Sequence, residues 1–398
     1  HYLKVSFKFR VRKFMKLFKS LLIAPATLGL LAPMSATANE LNLAEVSGYS
    51  SSEEVQSISE FNSKELAVTN SRVDGLEARL NNFEAGSFSE TTTASFSADM
   101  MIGVLDDQDV GGSVYDDNVM TGYSFQIDLN TSFTGEDSLD ISLDAGNAGS
   151  EGIAEFDGNS GGDALTVDGV AYTFPVLGAT AFVGDNSDAS SLFTTACAYG
   201  GPSNTLDDCG APNAGPTGGG VAAGVSYDFG SGFVFATGIQ TSETDVLNNE
   251  SLDSYAFNGS YTADNYGLSI TYGVVESSVS EDNTFTALNG YYTFDDPLIP
   301  SISVGLETGD IGGATSGADE QESFFVGLTW DEVGPGSAGF AAGHTNTIEG
   351  NDEAYMYEVY YEYPINDGMT VTPLAFAQDV NGGSDDSTGV MVKTSFSF

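Results

Sequence analysis

The 398-residue chain holds 57 acidic side chains against 11 basic ones, a formal net charge of −46. That balance makes nucleic acid and anionic membrane surfaces poor partners, because each phosphate contact needs a nearby cation. Two cysteines and two histidines leave little material for a zinc site or a catalytic dyad, and no phosphate-binding loop or dinucleotide fingerprint occurs. No cofactor is implied.

Charge and hydropathy divide the N-terminal region. Seven of the bases (Lys4, Lys8, Arg10, Arg12, Lys13, Lys16, Lys19) precede residue 20, and the first acid is Glu40. The bases lead into an apolar run from Leu21 to Leu31 and then into Ala36-Thr37-Ala38. This is the order of a secretory signal, expected over 1–38 with Met15 as the natural start and cleavage after Ala38. The apolar run is too short to span a bilayer. A segment over 39–63 then precedes the one helical pattern, 64–86. There Leu66, Val73, Leu76, Leu80 and Phe83 follow three-and-four spacing, while Glu65, Arg72, Glu77 and Arg79 lie off the stripe. Two readings stay open: a short coiled-coil stalk shared between copies, or a lone amphipathic helix.

Beyond Gly86 the hydrophobic period drops to two. Tyr123, Phe125, Ile127 and Leu129 alternate with Ser124, Gln126, Asp128 and Asn130, and Leu139, Ile141 and Leu143 alternate with Asp140, Ser142 and Asp144. The same beat predicts sixteen strands near 91–104, 122–133, 138–147, 165–173, 176–184, 219–229, 233–242, 252–262, 266–276, 285–294, 299–308, 322–331, 336–345, 353–364, 369–379 and 387–398. Short turns (Thr134–Asp137, Gly230–Gly232, Ala263–Asn265, Ile365–Gly368) alternate with longer Gly/Asp/Ser-rich loops. Tight turns at one end and long loops at the other are the habit of an outer-membrane β-barrel. The fold expected over 87–398 is therefore all-β, an antiparallel transmembrane barrel of about 16 strands.

Polarity supports that choice. One strand face is apolar and aromatic; the other is small or acidic. A dry core does not tolerate so many unpaired carboxylates, whereas a water-filled lumen does. Asp99, Asp128, Asp140, Asp144, Glu307, Glu358 and Glu362 are the expected pore-lining acids. Lys393, the barrel's one Lys or Arg, is placed on the lumen face of the last strand, either pairing with a carboxylate such as Asp99 across the seam or simply solvated. Phe398 closes an amphipathic final strand of the type that barrel-assembly machinery reads.

Cys197 and Cys209 lie in the longest loop, about 185–218, and an exported chain is expected to join them in a disulfide. Two placements of this loop are open. It folds into the barrel as a constriction, with Asp185, Asp188, Asp207 and Asp208 as its charges, or it remains an external loop tied by the disulfide. His344, alone at the end of a strand, reads as exposed and non-catalytic. The acidic loops at Asp106–Asp109, Asp116–Asp117, Asp157–Asp163 and Asp385–Asp386 lack convincing calcium-ligand spacing and read as a solvated surface.

The stretches ELNLAEVSGYSSSEEVQSISEF (40–61), SRVDGLEARLNNFEAGSFSETTT (71–93), TSFTGEDSLDISLDAGN (131–147) and EYPINDGMTVTPLAF (362–376) resemble the major outer-membrane porins of cyanobacteria, grouped with the carbohydrate-selective OprB-type porins. The resemblance implies a homotrimeric pore in outer-membrane lipid that passes small hydrophilic solutes such as sugars and ions. In that family a surface-layer-homology domain usually stands before the helix. Here Phe61 is followed within three residues by Lys64, so anchoring to peptidoglycan is not carried over. The acid-rich lumen without a ladder of arginines predicts cation preference. The rival reading is a structural barrel with a plugged lumen that tethers envelope layers.

Overall fold

The computed structural model describes residues 91–398, apart from 107, 111–112, 116–117, 149–157, 160–161, 204–205, 245, 247–252, 278–280, 315–317 and 380–385. The expected signal, the 39–63 segment, the helical stalk and several of the acidic loop positions lie outside the described residues.

Sixteen strands close into one antiparallel barrel. They are β1 (Thr92–Asp106), β4 (Asn118–Thr131), β5 (Ser138–Gly146), β6 (Gly162–Val176), β7 (Ala179–Asp185), β8 (Val221–Gly230), β9 (Phe233–Thr241), β10 (Ser254–Thr262), β11 (Tyr266–Val275), β12 (Asn283–Tyr292), β13 (Ser301–Asp310), β14 (Glu320–Val333), β15 (Gly336–Ile348), β16 (Met356–Asn366), β17 (Met369–Gln378) and β18 (Ser387–Ser397). Each barrel strand pairs with its neighbour in the chain, and β1 pairs with β18 from Ser97↔Ser397 to Asp106↔Thr388. Phe96 and Phe398 exchange backbone hydrogen bonds of 3.0 Å at the end of that seam, and their rings stack. A short hairpin of β2 (Gln108–Val110) and β3 (Ser113–Tyr115) stands in the first long loop, which the sequence pattern does not reveal. The expected turn near 174–175 lies further on, at Leu177 and Gly178. Both have positive φ, 52° and 85°, the backbone that a two-residue hairpin requires, while Pro175 stays in the ladder opposite Thr180.

Outward and inward faces follow from burial and register. On β11, Tyr266, Leu268, Ile270 and Tyr272 are exposed while Gly267, Ser269 and Thr271 are buried. On β13, Ile302, Val304 and Leu306 point out and Ser301, Ser303, Gly305 and Glu307 point in. The apolar side chains are the exposed ones, the reverse of a water-soluble barrel. Near the short turns the outward face is aromatic: Tyr172 stacks on Phe174, Tyr227 meets Phe229, Phe233 meets Tyr261, and Tyr292 meets Phe294. Aromatic rings at one level around a barrel form the girdle that marks a membrane–water boundary.

The turn between β4 and β5 is held by one carboxylate. Asp137 Oδ1 accepts from the backbone of Phe133 and Thr134 and from the hydroxyls of Ser132 and Thr134, while Oδ2 accepts from Tyr172 at 2.6 Å. The Tyr172 hydroxyl, then the Thr134 and Ser132 donors, hold the Asp137 carboxyl well below the usual carboxylate range, against the opposing effect of burial. A carboxyl lowered in this way stabilises the fold above its unfolded pKa, near 3.9, and that contribution is lost as pH falls through the lower folded value. Asp137→Asn is therefore expected to lower the denaturant midpoint of the refolded barrel at pH 7. The gap to wild type should narrow as pH drops below about 4; equal midpoints at pH 7 would refute the assignment.

Candidate pore and its internal loop

The loop between β7 and β8 (186–220) runs inside the barrel. Its outgoing limb is laid across the inner wall as an extended strip whose alternate amides find side chains on β10, β11 and β13. Thr194 donates to Asn258 Oδ1 of β10 (3.1 Å), Ala196 to Ser269 Oγ of β11 (2.9 Å) and Ala198 to Ser303 Oγ of β13 (2.8 Å). Tyr360 of β16 then donates to the Gly200 carbonyl (3.0 Å), and the Tyr199 hydroxyl donates to Glu358. The limb turns at 206–210, and Cys209 is joined to Cys197 by a disulfide. On the way back Cys209 accepts from Asn289 Nδ2 of β12 (2.8 Å). Asn213 and Ala214 end on Glu307 of β13. A backbone buried in this way must find partners, and inward-facing Ser, Asn and Glu side chains supply them.

Glycines let the loop approach the wall. A Cβ on Gly305 would lie 1.7 Å from the Cys209 carbonyl oxygen, one on Gly238 2.0 Å from that of Ala189, and one on Gly273 2.4 Å from that of Ala214. Above them an apolar cluster fills part of the lumen. Tyr199, Leu206 and Cys209 of the loop pack with Met101 and Leu105 of β1, Phe325 of β14, Leu374 and Phe376 of β17, and Met391 of β18. An inner face that is only small or acidic is therefore wrong for β1 and β14–β18, where the loop needs an apolar seat.

All eight expected lumen residues are on the inner face, but they separate into two groups. Asp128 accepts from Gln126 and Ser142 (both 2.8 Å), Asp140 from Asn130 and Ser138, and Asp144 from Thr166 (3.1 Å). These three form an acidic strip on β4 and β5. Asp99 shares the face of Lys393 at the β1–β18 seam, one register step away: Asp99 stands opposite Ser395, and Lys393 opposite Met101. Glu362 accepts from Ser337 (2.9 Å) near the short-turn end. Glu307 and Glu358, only 2% and 1% exposed, do not line water. The loop covers both and uses them as acceptors, which strand alternation alone could not reveal.

The loop acids also divide. Asp207 and Asp208 are exposed at the loop's turn and line a cavity of about 300 Å³ together with Cys197, Tyr199 and Cys209. Asp188 accepts from the Gly218 amide (3.0 Å) and borders a cavity of about 480 Å³ that also touches Asp140, Ser142 and Asp168. Asp185 is a correction. It ends β7 opposite Val170, in phase with exposed Val183 and out of phase with buried Phe182, so it faces away from the lumen. Sequence reasoning missed Asp168, which lies at a register irregularity between β5 and β6 where the two-residue beat slips. His344 is likewise not exposed. At 4% exposure it is packed between Phe324 and Tyr355, with Nδ1 2.8 Å from the Thr347 hydroxyl.

No family model matches the chain. An uncharacterized protein of Nostoc sp. strain PCC 7120 is 25% identical over 427 residues, covering 86% of this chain and 72% of that protein. Among solved structures, an engineered variant of the Rhodopseudomonas blastica porin, with an aspartate and a glutamate replaced by alanine, has a TM-score of 0.53 at 16% identity. A variant of the same porin with two introduced tryptophans, in place of a tyrosine and a serine, has a TM-score of 0.54 at 15%. Each covers 77% of this chain and 100% of its own. At such identities the likeness concerns the fold: this is a porin-like barrel of sixteen antiparallel strands.

The glycine contacts are testable. Gly305→Val is expected to lift the loop turn from β13 at an overpacking cost of about 1–3 kcal/mol. Amide exchange over 209–211 should accelerate while the β10–β13 ladder stays protected. Unchanged exchange over 209–211 would show that the close contact does not hold the turn.

Proposed function

We propose that the chain is an outer-membrane channel through which small hydrophilic solutes, sugars and ions among them, diffuse passively with a preference for cations. The observation that carries this reading is the one-sided placement of the internal loop. It lies against β9–β18 and β1 and leaves the acidic strip of Asp128, Asp140 and Asp144 on β4 and β5, with Asp188 beside Asp140, bordering the remaining space. A narrow passage with low-dielectric walls and one sign of charge concentrates the opposite ion. The loop acids Asp207 and Asp208 add to the same field. A homotrimer in outer-membrane lipid, with the N-terminal stalk in the periplasm, fits the apolar outer face, the aromatic girdle and the helical pattern before the barrel.

One observation favours a second reading. The apolar cluster around Tyr199, Leu206 and Phe325 occupies lumen space that a wide channel leaves to water, as a plugged structural barrel does. Conductance separates the two. Purified protein in a planar bilayer should give stable steps, with a reversal potential toward the cation value in a salt gradient. Asp128→Asn, Asp140→Asn and Asp144→Asn together should move that potential toward zero, and the difference should shrink near 1 M salt, where the Debye length is about 3 Å. A silent bilayer with folded protein favours the plugged barrel; anion preference refutes the charge argument.

A further inference from the structure

The two buried carboxylates under the loop are not equivalent. Glu358 receives one hydrogen bond, from Tyr199, and its Oε2 has no partner among the described residues. Glu307 receives three. The backbone amides of Asn213 (3.0 Å) and Ala214 (2.8 Å) both donate to Oε2, and Asn213 Nδ2 donates to Oε1 (2.7 Å). At 2% exposure, water does not stand in for a lost protein partner.

The Asn213 side-chain amide also donates to Asn346 Oδ1 (2.7 Å), which accepts from Gln321 Nε2 (2.6 Å) as well. Asn346 reaches this place because β15 departs from regular register there: its φ is 57°, and its own backbone amide donates to Ser323 Oγ (3.0 Å). An ionised carboxylate only accepts hydrogen bonds. Glu307 therefore fixes which way the Asn213 amide points, and through it the amides of Asn346 and Gln321. The returning limb of the loop is tied to β13, β14 and β15 by this one row of groups.

We propose that Glu307 is the positioning residue of the internal loop, a latch that holds residues 213–214, and with them the limb that carries Asp207 and Asp208, against the wall. The latch is a matter of hydrogen-bond polarity rather than of packing. Its effect on permeation rests on the channel reading above; the latch itself does not.

Glu307→Gln keeps the volume but adds a donor. If the new NH₂ takes the place of Oε1 it meets Asn213 Nδ2; if it takes the place of Oε2 it meets two backbone amides that cannot turn. In the first case Asn213, Asn346 and Gln321 can all turn their amides over, and the row reverses while the remaining oxygen keeps both backbone amides; Asn213→Asp alone has no such escape, because it sets two carboxylates face to face. The double variant Glu307→Gln with Asn213→Asp restores complementarity, since the NH₂ introduced at position 307 can donate to the new carboxylate while Asn346 and Gln321 turn their amides over. The total charge is unchanged. Glu358→Gln keeps an acceptor for Tyr199 and serves as the contrast.

Hydrogen exchange of the refolded full chain reads the latch without requiring conductance. The amides at 213 and 214 should exchange at least tenfold faster in N213D, return to within about threefold of wild type in E307Q/N213D, and stay unchanged in E358Q. Strand amides of β10–β13 report whether the barrel itself is intact. If N213D does not fold, Glu307→Met, which removes both acceptor oxygens at similar volume, should show the same acceleration. Wild-type exchange in N213D, or a double variant as fast as N213D, overturns the latch. Parallel bilayer recordings keep the two ideas apart. Faster exchange with larger or noisier conductance supports both, and faster exchange with wild type silent sustains the latch while overturning the channel.

Discussion

In a hydrocarbon surround an unpaired backbone N–H or C=O costs several kcal/mol, so a sheet that spans it must have no free edge. Closure of β1 on β18 meets that demand, and the rest of the molecule follows from it. With the backbone satisfied within the sheet, side chains are free to face apolar outward and polar inward. That is why Leu268 and Ile270 are exposed while Ser269 and Thr271 are covered. The same closure turns the inter-strand connections at one end into loops that can lengthen at little cost, and one of them is long enough to turn back into the lumen.

A loop inside a barrel inherits the original problem, because its own amides leave water. The wall answers it strand by strand. Asn258, Ser269, Ser303 and Glu307 stand where Thr194, Ala196, Ala198 and Ala214 need acceptors, and Gly238, Gly273 and Gly305 leave room for the loop backbone. Apolar residues on β1 and β14–β18 complete the seat. The lumen is thereby asymmetric: one wall is used for holding, and the other keeps its acids uncovered.

This asymmetry marks the limit of what could be read from the chain alone. The two-residue beat reveals the strand count, the alternation of short and long connections, and the inner face of the barrel charges, because each is a local property of successive residues. Pairing of Cys197 with Cys209 is also legible, from their spacing within one loop. The reading fails where a distant segment intervenes. Glu307 and Asp128 look alike in a strand pattern, yet one lies under Ala214 and the other does not. Met101, Phe325 and Met391 face inward against the pattern because Leu206 and Tyr199 arrive to cover them. Asp185 reads as a loop charge although the phase set by Phe182 turns it outward, a distinction available only once the end of β7 is fixed. His344 reads as exposed because nothing near it in sequence shows that Phe324 and Tyr355 enclose it.

Two populations of carboxylate on one face thus serve different ends. Those on β4 and β5 keep partial contact with the lumen and neutral hydroxyl or amide partners, so their charge stays open to the lumen. Those on β13 and β16 have exchanged water for loop donors, three at Glu307 and one, from Tyr199, at Glu358, since a buried carboxylate needs such donors in place of water. Removing a charge from the first group alters the field and leaves the shape; removing one from the second alters the shape first. A barrel that divides its acids in this way can vary the field in its lumen and the seat of its loop by separate substitutions, since the residues that set the field and those that seat the loop stand on different walls of the barrel.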